Sequence, residues 1–167
     1  LTEEREVVYD PFMGRGTTLV EAGLMGRIPW GCDINPLSPI LVRPRLEPPA
    51  AGDLAARAAE LPLALEVESR EDLRVFYHPD VLRAVSSLRH YFAAPERDAL
   101  DRWLRMVATN RLTGHSPGFL SVYSLPPNQA VSIQSQARIN EKRNQTPPPR
   151  DVCALLLKKS RQLLKDL

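Results

Sequence analysis

One run constrains this chain more than any other: Asp10-Pro11-Phe12-Met13-Gly14-Arg15-Gly16-Thr17-Thr18. It follows Glu6-Val7-Val8-Tyr9, a short β-rich apolar stretch that reads as a buried strand ending at Asp10. From Thr17 to Met25 the residues are helix formers in an apolar pattern, and Gly26 stands just past the end as a C′ residue. Ile28-Pro29-Trp30-Gly31-Cys32 then enters a second strand that stops at Asp33. Residues 6–33 are thus one strand–loop–helix–strand unit, the building block of a parallel sheet.

An acid at a strand end, a Gly-x-Gly turn and a helix N-terminus make a cofactor-binding arrangement, because the glycines let backbone approach a ligand with no Cβ in the way. Asp33 ends the next strand 23 residues after Asp10. That is where a carboxylate accepts hydrogen bonds from ribose hydroxyls. A dinucleotide site needs a third glycine and a loop that welcomes pyrophosphate. Here Leu19 occupies the third glycine's place and the loop opens with an acid. A carboxylate repels pyrophosphate and pairs with an α-ammonium group, so the electrostatics favour S-adenosylmethionine over a dinucleotide. The alternative is a structural turn with a chance Gly-x-Gly.

Together, Asp10-Pro11-Phe12-x-Gly14-x-Gly16-Thr17-Thr18, Glu21-Ala22 and Gly31-x-Asp33-Ile34-Asn35-Pro36 resemble the cofactor motifs of DNA amino-methyltransferases. Those enzymes methylate N4 of cytosine or N6 of adenine. The resemblance covers about the first 40 residues. It implies an α/β, Rossmann-like methyltransferase fold, incomplete in this chain, with a mostly helical insertion or target-recognition region. It also implies that Asp10, Phe12, Gly14 and Gly16 line the methionine part of the cofactor, that Asp33 holds the ribose and that Ile34 flanks the adenine. Pro11, Thr17, Thr18 and Asn35 complete the expected cofactor-binding set. RNA guanine-N2 methyltransferases carry a related pattern and stand as the alternative. So does a non-catalytic fragment that binds cofactor and nucleic acid.

The family's second motif, Ser/Thr/Asp/Asn-Pro-Pro-Tyr/Phe, orients the target amino group and stacks on a flipped base. No such run occurs in the 167 residues. The nearest, Ser124-Leu125-Pro126-Pro127-Asn128, has an extra residue and no aromatic after the prolines, and is read as a loop. The catalytic residues are therefore left unassigned. The chain begins at Leu1 and shows two confident strands and one doubtful one where a full methyltransferase sheet has about seven. The expectation is a part of a longer protein, with the catalytic motif downstream of Leu167.

Elsewhere the pattern is helical. The proline-rich stretch Pro36 to Gly52 reads as an irregular connector with at most a turn of helix at Ser38–Val42. Asp53 reads as the N-cap of a helix to about Leu61. Pro79 opens a helix through Phe92, and Pro95 one to about Asn110, with Leu100, Trp103, Leu104 and Val107 at i, i+3, i+4, i+7. Thr113–Gly118 is a loop, and Phe119–Tyr123 a strand or extended segment. Val131 to Asn144 reads as helical, Gln145–Pro149 as a stiff spacer, and Asp151 as the cap of a last helix to about Asp166. Three parts follow: 1–52 for the cofactor, 53–112 helical, and 113–167 basic.

Charge supports that division. Residues 1–101 hold 11 Lys and Arg against 17 Asp and Glu, a net of −6, whereas residues 102–167 hold 11 against 3, a net of +8. A basic C-terminal third suits a polyanion. Arg138, Lys142, Arg143, Lys158 and Lys159 are the chosen nucleic-acid contacts, with Arg111 and Arg150 as further candidates and double-stranded DNA as the expected partner ahead of RNA. A solvated helical face is the bland reading of each. His115 could touch substrate or phosphate and Phe119 and Tyr123 could stack on a base, but an exposed loop position for the histidine and core packing for the two aromatics are the preferred readings. Two cysteines, no secretory signal and no long apolar run point to a cytoplasmic protein without a metal site. The expected setting is restriction–modification or orphan methylation, with cytosine N4 preferred on resemblance.

Overall fold

The computed structural model describes residues 2–94, 98–126 and 129–165. Strand β1 (Val7–Asp10) and strand β2 (Ile28–Gly31) pair in parallel, Val7 opposite Ile28 and Asp10 opposite Gly31. Helix α1 (Thr17–Leu24) connects them, so the expected β–α–β unit is formed. Gly26 has φ +73 just beyond the helix, the conformation foreseen for a C′ glycine. Close approach explains two other glycines. A Cβ on Gly31 would lie 2.6 Å from Leu19 Cδ1, which shows how tightly α1 lies on that sheet face. Gly16 has φ +79, and a Cβ there would lie 2.7 Å from Val42 Cγ1. Met13, Leu19 and Val42, with Leu46 against them, form a small core under this unit.

The other sheet face is bare. Val7 and Tyr9 pair in register with Ile28 and Trp30, so all four side chains point the same way. Tyr9 and Trp30 are 59% and 61% exposed. Parallel sheets are ordinarily covered on both faces. Among the described residues β1 and β2 are the only strands, and the outer edge of each is unpaired.

The stretch from Pro36 corrects the sequence reading. Instead of an irregular connector, Leu37–Leu46 is a ten-residue helix, α2. Pro39 lies in its first turn, where no N–H has an intrahelical acceptor, so the helix loses nothing there. Pro44 lies inside the helix but is buried, as are Ser38 and Val42, and packing outweighs one missing backbone bond. The pair Pro48-Pro49 follows the helix end. Asp53 is likewise not a cap: helix α3 spans Ala51–Ala59 with Ala50 before it, and Asp53 occupies the first turn, where its charge suits the helix dipole.

A 3-10 helix (Glu71–Val75) precedes helix α4 (Pro79–Phe92), whose bounds are those expected. Helix α5 is Ala99–Arg111, and Asp98 Oδ1 accepts from Asp101 N at 2.9 Å. Pro95, expected to open it, lies outside the described residues. Trp103, Leu104 and Val107 are fully buried, as their spacing requires. Helix α6 (Ile133–Arg143) is capped by Ser132 Oγ, which accepts from Ser135 N at 3.1 Å. Helix α7 (Val152–Lys165) starts with Asp151 Oδ1 accepting from Ala154 N at 2.9 Å. Asp166, the foreseen end, is also outside the described residues.

Phe119–Tyr123 is not a strand. It is an irregular segment whose amides go to unrelated partners: Leu120 N donates to Arg111 O at 2.8 Å and Val122 N to Phe76 O at 2.8 Å, and the adjoining Ser124 N donates to Gly114 O at 2.9 Å. From the other side, Gln136 Nε2 and Gln145 Nε2 both donate to Tyr123 O, at 2.9 and 3.0 Å. A buried segment whose every amide needs a partner can find them outside a ladder. The resulting core is continuous from Leu54 to Leu156 and joins α3, α4, α5, Leu120 and α7. Helix α2 packs on both α1 and α5, which ties the small core to the large one.

Arg57 on α3 clasps the start of α5. Its Nη2 lies 2.7 Å from Asp98 Oδ2 and its Nη1 3.0 Å from Asp101 Oδ1, while Tyr91 OH donates to Asp101 Oδ2 at 3.0 Å. The Arg57 guanidinium holds the Asp98 carboxyl below the usual carboxylate range. A depressed carboxylate stabilises the fold above its unfolded value near pH 4, and that contribution disappears as pH falls through the folded value. Urea midpoints measured from pH 7 down to about pH 3 should therefore decline, and the decline should be smaller in Asp98→Asn, which keeps the cap but not the charge. Gly16→Ala combines a left-handed φ with a clash on Val42, and should lower unfolding free energy by about 2–4 kcal/mol in the same assay.

Candidate cofactor site

The loop after β1 and the loop after β2 meet at the C-terminal ends of the two strands. Backbone bonds register them: Cys32 N donates to Asp10 O at 3.1 Å, and Met13 N to Cys32 O at 3.0 Å. The first loop folds on itself, with Phe12 N donating to Asp10 Oδ1 at 3.0 Å and Gly16 N to Met13 O at 2.6 Å. Both glycines of the turn have positive φ, +50 at Gly14 and +79 at Gly16.

Asp33 is the clasp between the loops. Its Oδ2 accepts from Gly14 N at 2.7 Å and its Oδ1 from Asn35 N at 2.8 Å. The Asn35 and Gly14 amides hold its carboxyl below the ordinary range, so it is ionised throughout the neutral region. Each carboxylate oxygen has a second lone-pair site; the Ser38 side chain draws on this capacity too, and what is left is open to a further donor. Asn35 Oδ1 is used by Leu37 N at 3.0 Å, which starts α2.

The ten sequence-predicted cofactor residues lie at the C-terminal end of the strand pair: Asp10 ends β1, Pro11, Phe12, Gly14 and Gly16 are in the loop after it, Thr17 and Thr18 start α1, and Asp33, Ile34 and Asn35 follow β2. Phe12 and Ile34 are 85% and 102% exposed, two apolar side chains held out over the strand ends. Helix α1 has no side chain capping its N-terminus and no acid in its first turn, so its first amides face the same opening unpaired by side chains.

The basic residues fare differently. Arg138, Lys142 and Arg143 lie on α6, which packs on the 3-10 helix; Lys158 and Lys159 lie on α7, which packs on α3 and α5. The two groups have separate supports, and neither helix packs on the cofactor unit. Arg143 stacks over the Tyr123 ring at 3.7 Å, and Lys159 Nζ lies 3.0 Å from Gln162 Oε1. Phe119 is buried, while His115 is exposed with its ring 6.1 Å from that of Phe119. In Ser124–Asn128, Ser124 is buried and Pro127 and Asn128 lie outside the described residues.

Sequence reasoning missed Arg15 and Asn110. Arg15 Nη2 lies 3.5 Å from Asn110 Oδ1 and links the glycine loop to the end of α5. Arg15 stands between the two loop glycines, a visible position, but nothing local announces a partner 95 residues away.

Compared with curated proteins, the chain is similar to the Type II methyltransferase M.MvaI of Kocuria varians, with 30% identity over 102 residues. The match covers 61% of this chain and 20% of the relative, so the chain spans about a fifth of the length of the curated protein it matches. No family model matches the sequence, and no solved structure matches it. The likeness is thus to part of a Type II methyltransferase, carried by a chain whose α/β unit presents two linked loops at the carboxyl ends of parallel strands.

Proposed function

We propose that the chain is the S-adenosylmethionine-binding part of a DNA amino-methyltransferase with a Rossmann-like catalytic domain. The observation that carries this reading is the Asp33 clasp: an ionised carboxylate at the end of β2, fastened to Gly14, with acceptor capacity to spare. Similarity to a Type II methyltransferase supports the same class of chemistry.

The residues fit the cofactor group by group. Gly14 presents backbone with room where a Cβ would stand, while Gly16 lets the turn close onto Val42. The first amides of α1 suit the methionine carboxylate, and Asp10 suits its ammonium. The remaining acceptor capacity of Asp33 takes a ribose hydroxyl. Ile34 and Phe12 offer apolar surface to the adenine and the methionine chain. When bound, S-adenosylmethionine supplies a methyl group activated by its sulfonium. The chain's own task is to hold that group at the strand ends, where a base extruded from a duplex can present its amino nitrogen.

Residues 1–52 carry the donor in this reading, and 53–112 and 113–167 serve the acceptor nucleic acid. Double-stranded DNA is the substrate, in a restriction–modification or orphan methylation setting, with cytosine N4 preferred to adenine N6. A donor module without its own acceptor motif is the second reading. It is favoured by the absence of a Pro-Pro-aromatic run from the sequence.

Incubation of the full chain with tritiated S-adenosylmethionine and DNA or RNA, followed by nucleoside analysis, separates these readings. Label on cytosine or adenine of DNA is expected; label on RNA guanine contradicts the DNA assignment, and label on neither polymer selects the donor-only module. Binding isolates the cofactor site. By calorimetry Asp33→Ala should weaken S-adenosylmethionine about tenfold to a hundredfold, since hydrogen bonds to a charged acceptor are lost. An unaltered affinity would remove Asp33 from the site.

A further inference from the structure

Beside the glycine loop lies an open cleft of about 610 Å³, lined by Arg15, Asn35, Thr109, Asn110, Arg111 and Thr113 among others. It is bounded by the donor loop on one side and the C-terminal end of α5 on the other, bridged by the Arg15–Asn110 contact. Two guanidinium groups face it and no carboxylate lines it.

Among the described residues six arginines are ion-paired: Arg43 and Arg102 share Glu47, Arg57 holds Asp98 and Asp101, Arg70 holds Asp72, and Arg74 and Arg83 take Glu71 and Asp80. Arg15, Arg45 and Arg111, gathered around the cleft, are not among them: no described carboxylate lies within ion-pair distance of any of the three. Arg45 donates from Nη1 to Arg15 O at 3.4 Å, and its own charge is disfavoured by burial and by the Arg15 guanidinium beside it. Arg111 lies flat over the Phe119 ring, 4.2 Å from its centre, and spends Nε on Asn110 O at 3.0 Å. Among the described residues its two Nη groups have no hydrogen-bond partner. The C-terminus of α5 contributes about half a negative charge, too little for three cations. Two guanidinium groups without a carboxylate partner, lining one cleft with Thr113 and Asn110, match the charge and the bidentate recognition of a phosphodiester.

We propose that this cleft seats a backbone phosphate of the nucleic-acid substrate next to the methyl donor, with Arg15 and Arg111 as its ligands. The proposal rests on the donor reading above. It moves the critical nucleic-acid contact from the basic faces of α6 and α7 to the seam between the donor loop and α5. A phosphate fixed there anchors the strand within reach of the donor, whereas Lys158 and Lys159 give orientation-free attraction.

The test is fluorescence anisotropy of a labelled duplex DNA with the full chain over a series of salt concentrations, alongside calorimetry with S-adenosylmethionine. Arg111→Gln and Arg15→Gln should each weaken DNA binding roughly fivefold to tenfold and lower the salt slope by about one. Arg111→Gln should leave cofactor affinity within about twofold. Lys158→Gln should weaken DNA binding by less than either. Unchanged DNA affinity and slope in both arginine variants would overturn the proposal. So would a loss of cofactor affinity with DNA binding intact, which would make the cleft part of the donor site. Should Arg111→Gln fail to fold, the exposed Arg15→Gln decides alone on the same criteria. A wild-type chain that binds cofactor but not DNA refutes the cleft while leaving the donor reading standing, whereas one that binds DNA but not cofactor refutes the donor reading and, with it, a phosphate seat beside a methyl donor.

Discussion

Everything in the cofactor unit depends on one carboxylate bonded to two loops. Asp33 accepts from Gly14 N and from Asn35 N, and so fixes the turn after β1 to the turn after β2. It adds to the Gly16–Met13 and Met13–Cys32 backbone bonds a side-chain tie at the left-handed Gly14 itself. The clasp has a second consequence. Since the same oxygens face the opening, the group that shapes the loop is also available to a ligand, and ligand binding and loop order are coupled through one side chain.

The clasp also transmits position to the helical part. Asn35, held by Asp33, caps the start of α2 through Leu37 N. Helix α2 packs on α1 through Val42 and on α5, whose buried Trp103, Leu104, Met106 and Val107 lie at the centre of the large core. The end of α5 then returns to the loop by way of Asn110 and Arg15. The circuit from Asp33 through α2 and α5 back to Arg15 closes around the cleft. A cleft closed in this way has walls set by the fold rather than by a ligand, the condition for preorganised recognition.

The β–α–β unit and its loop residues were legible because the information is local. Glycines needing positive φ, an acid at each strand end and a C′ glycine each act within a few residues. Helices α4, α5 and α7 were legible for the same reason: Pro79, the spacing of Trp103, Leu104 and Val107, and the Asp151 cap are local features. Helix α2 was hidden because proline was counted as a breaker without regard to its place in the helix. Pro39 stands where no N–H is used, and the burial that tolerates Pro44 comes from distant residues. Phe119–Tyr123 has a strand's composition, but Leu120 and Val122 give their amides to Arg111 and Phe76, partners no local pattern reveals. The Arg15–Asn110 bridge was illegible on the same ground.

The sheet gives these pieces their direction. Helix α1 and the small core cover one face, while Val7, Tyr9, Ile28 and Trp30 leave the other apolar and open, with both strand edges free among the described residues. An apolar parallel pair in water loses the stabilisation that a second covering layer provides, at about 25 cal/mol for each Å² left wet. The residues that shape the donor loop do not share this deficit: Met13, Leu19 and Val42 are buried, and Asp33 is satisfied by backbone. Order in the loops is therefore supplied from the covered side, and the bare face can accept further structure without disturbing them. That separation leaves the geometry of the two loops set by the side chains and backbone on the covered side.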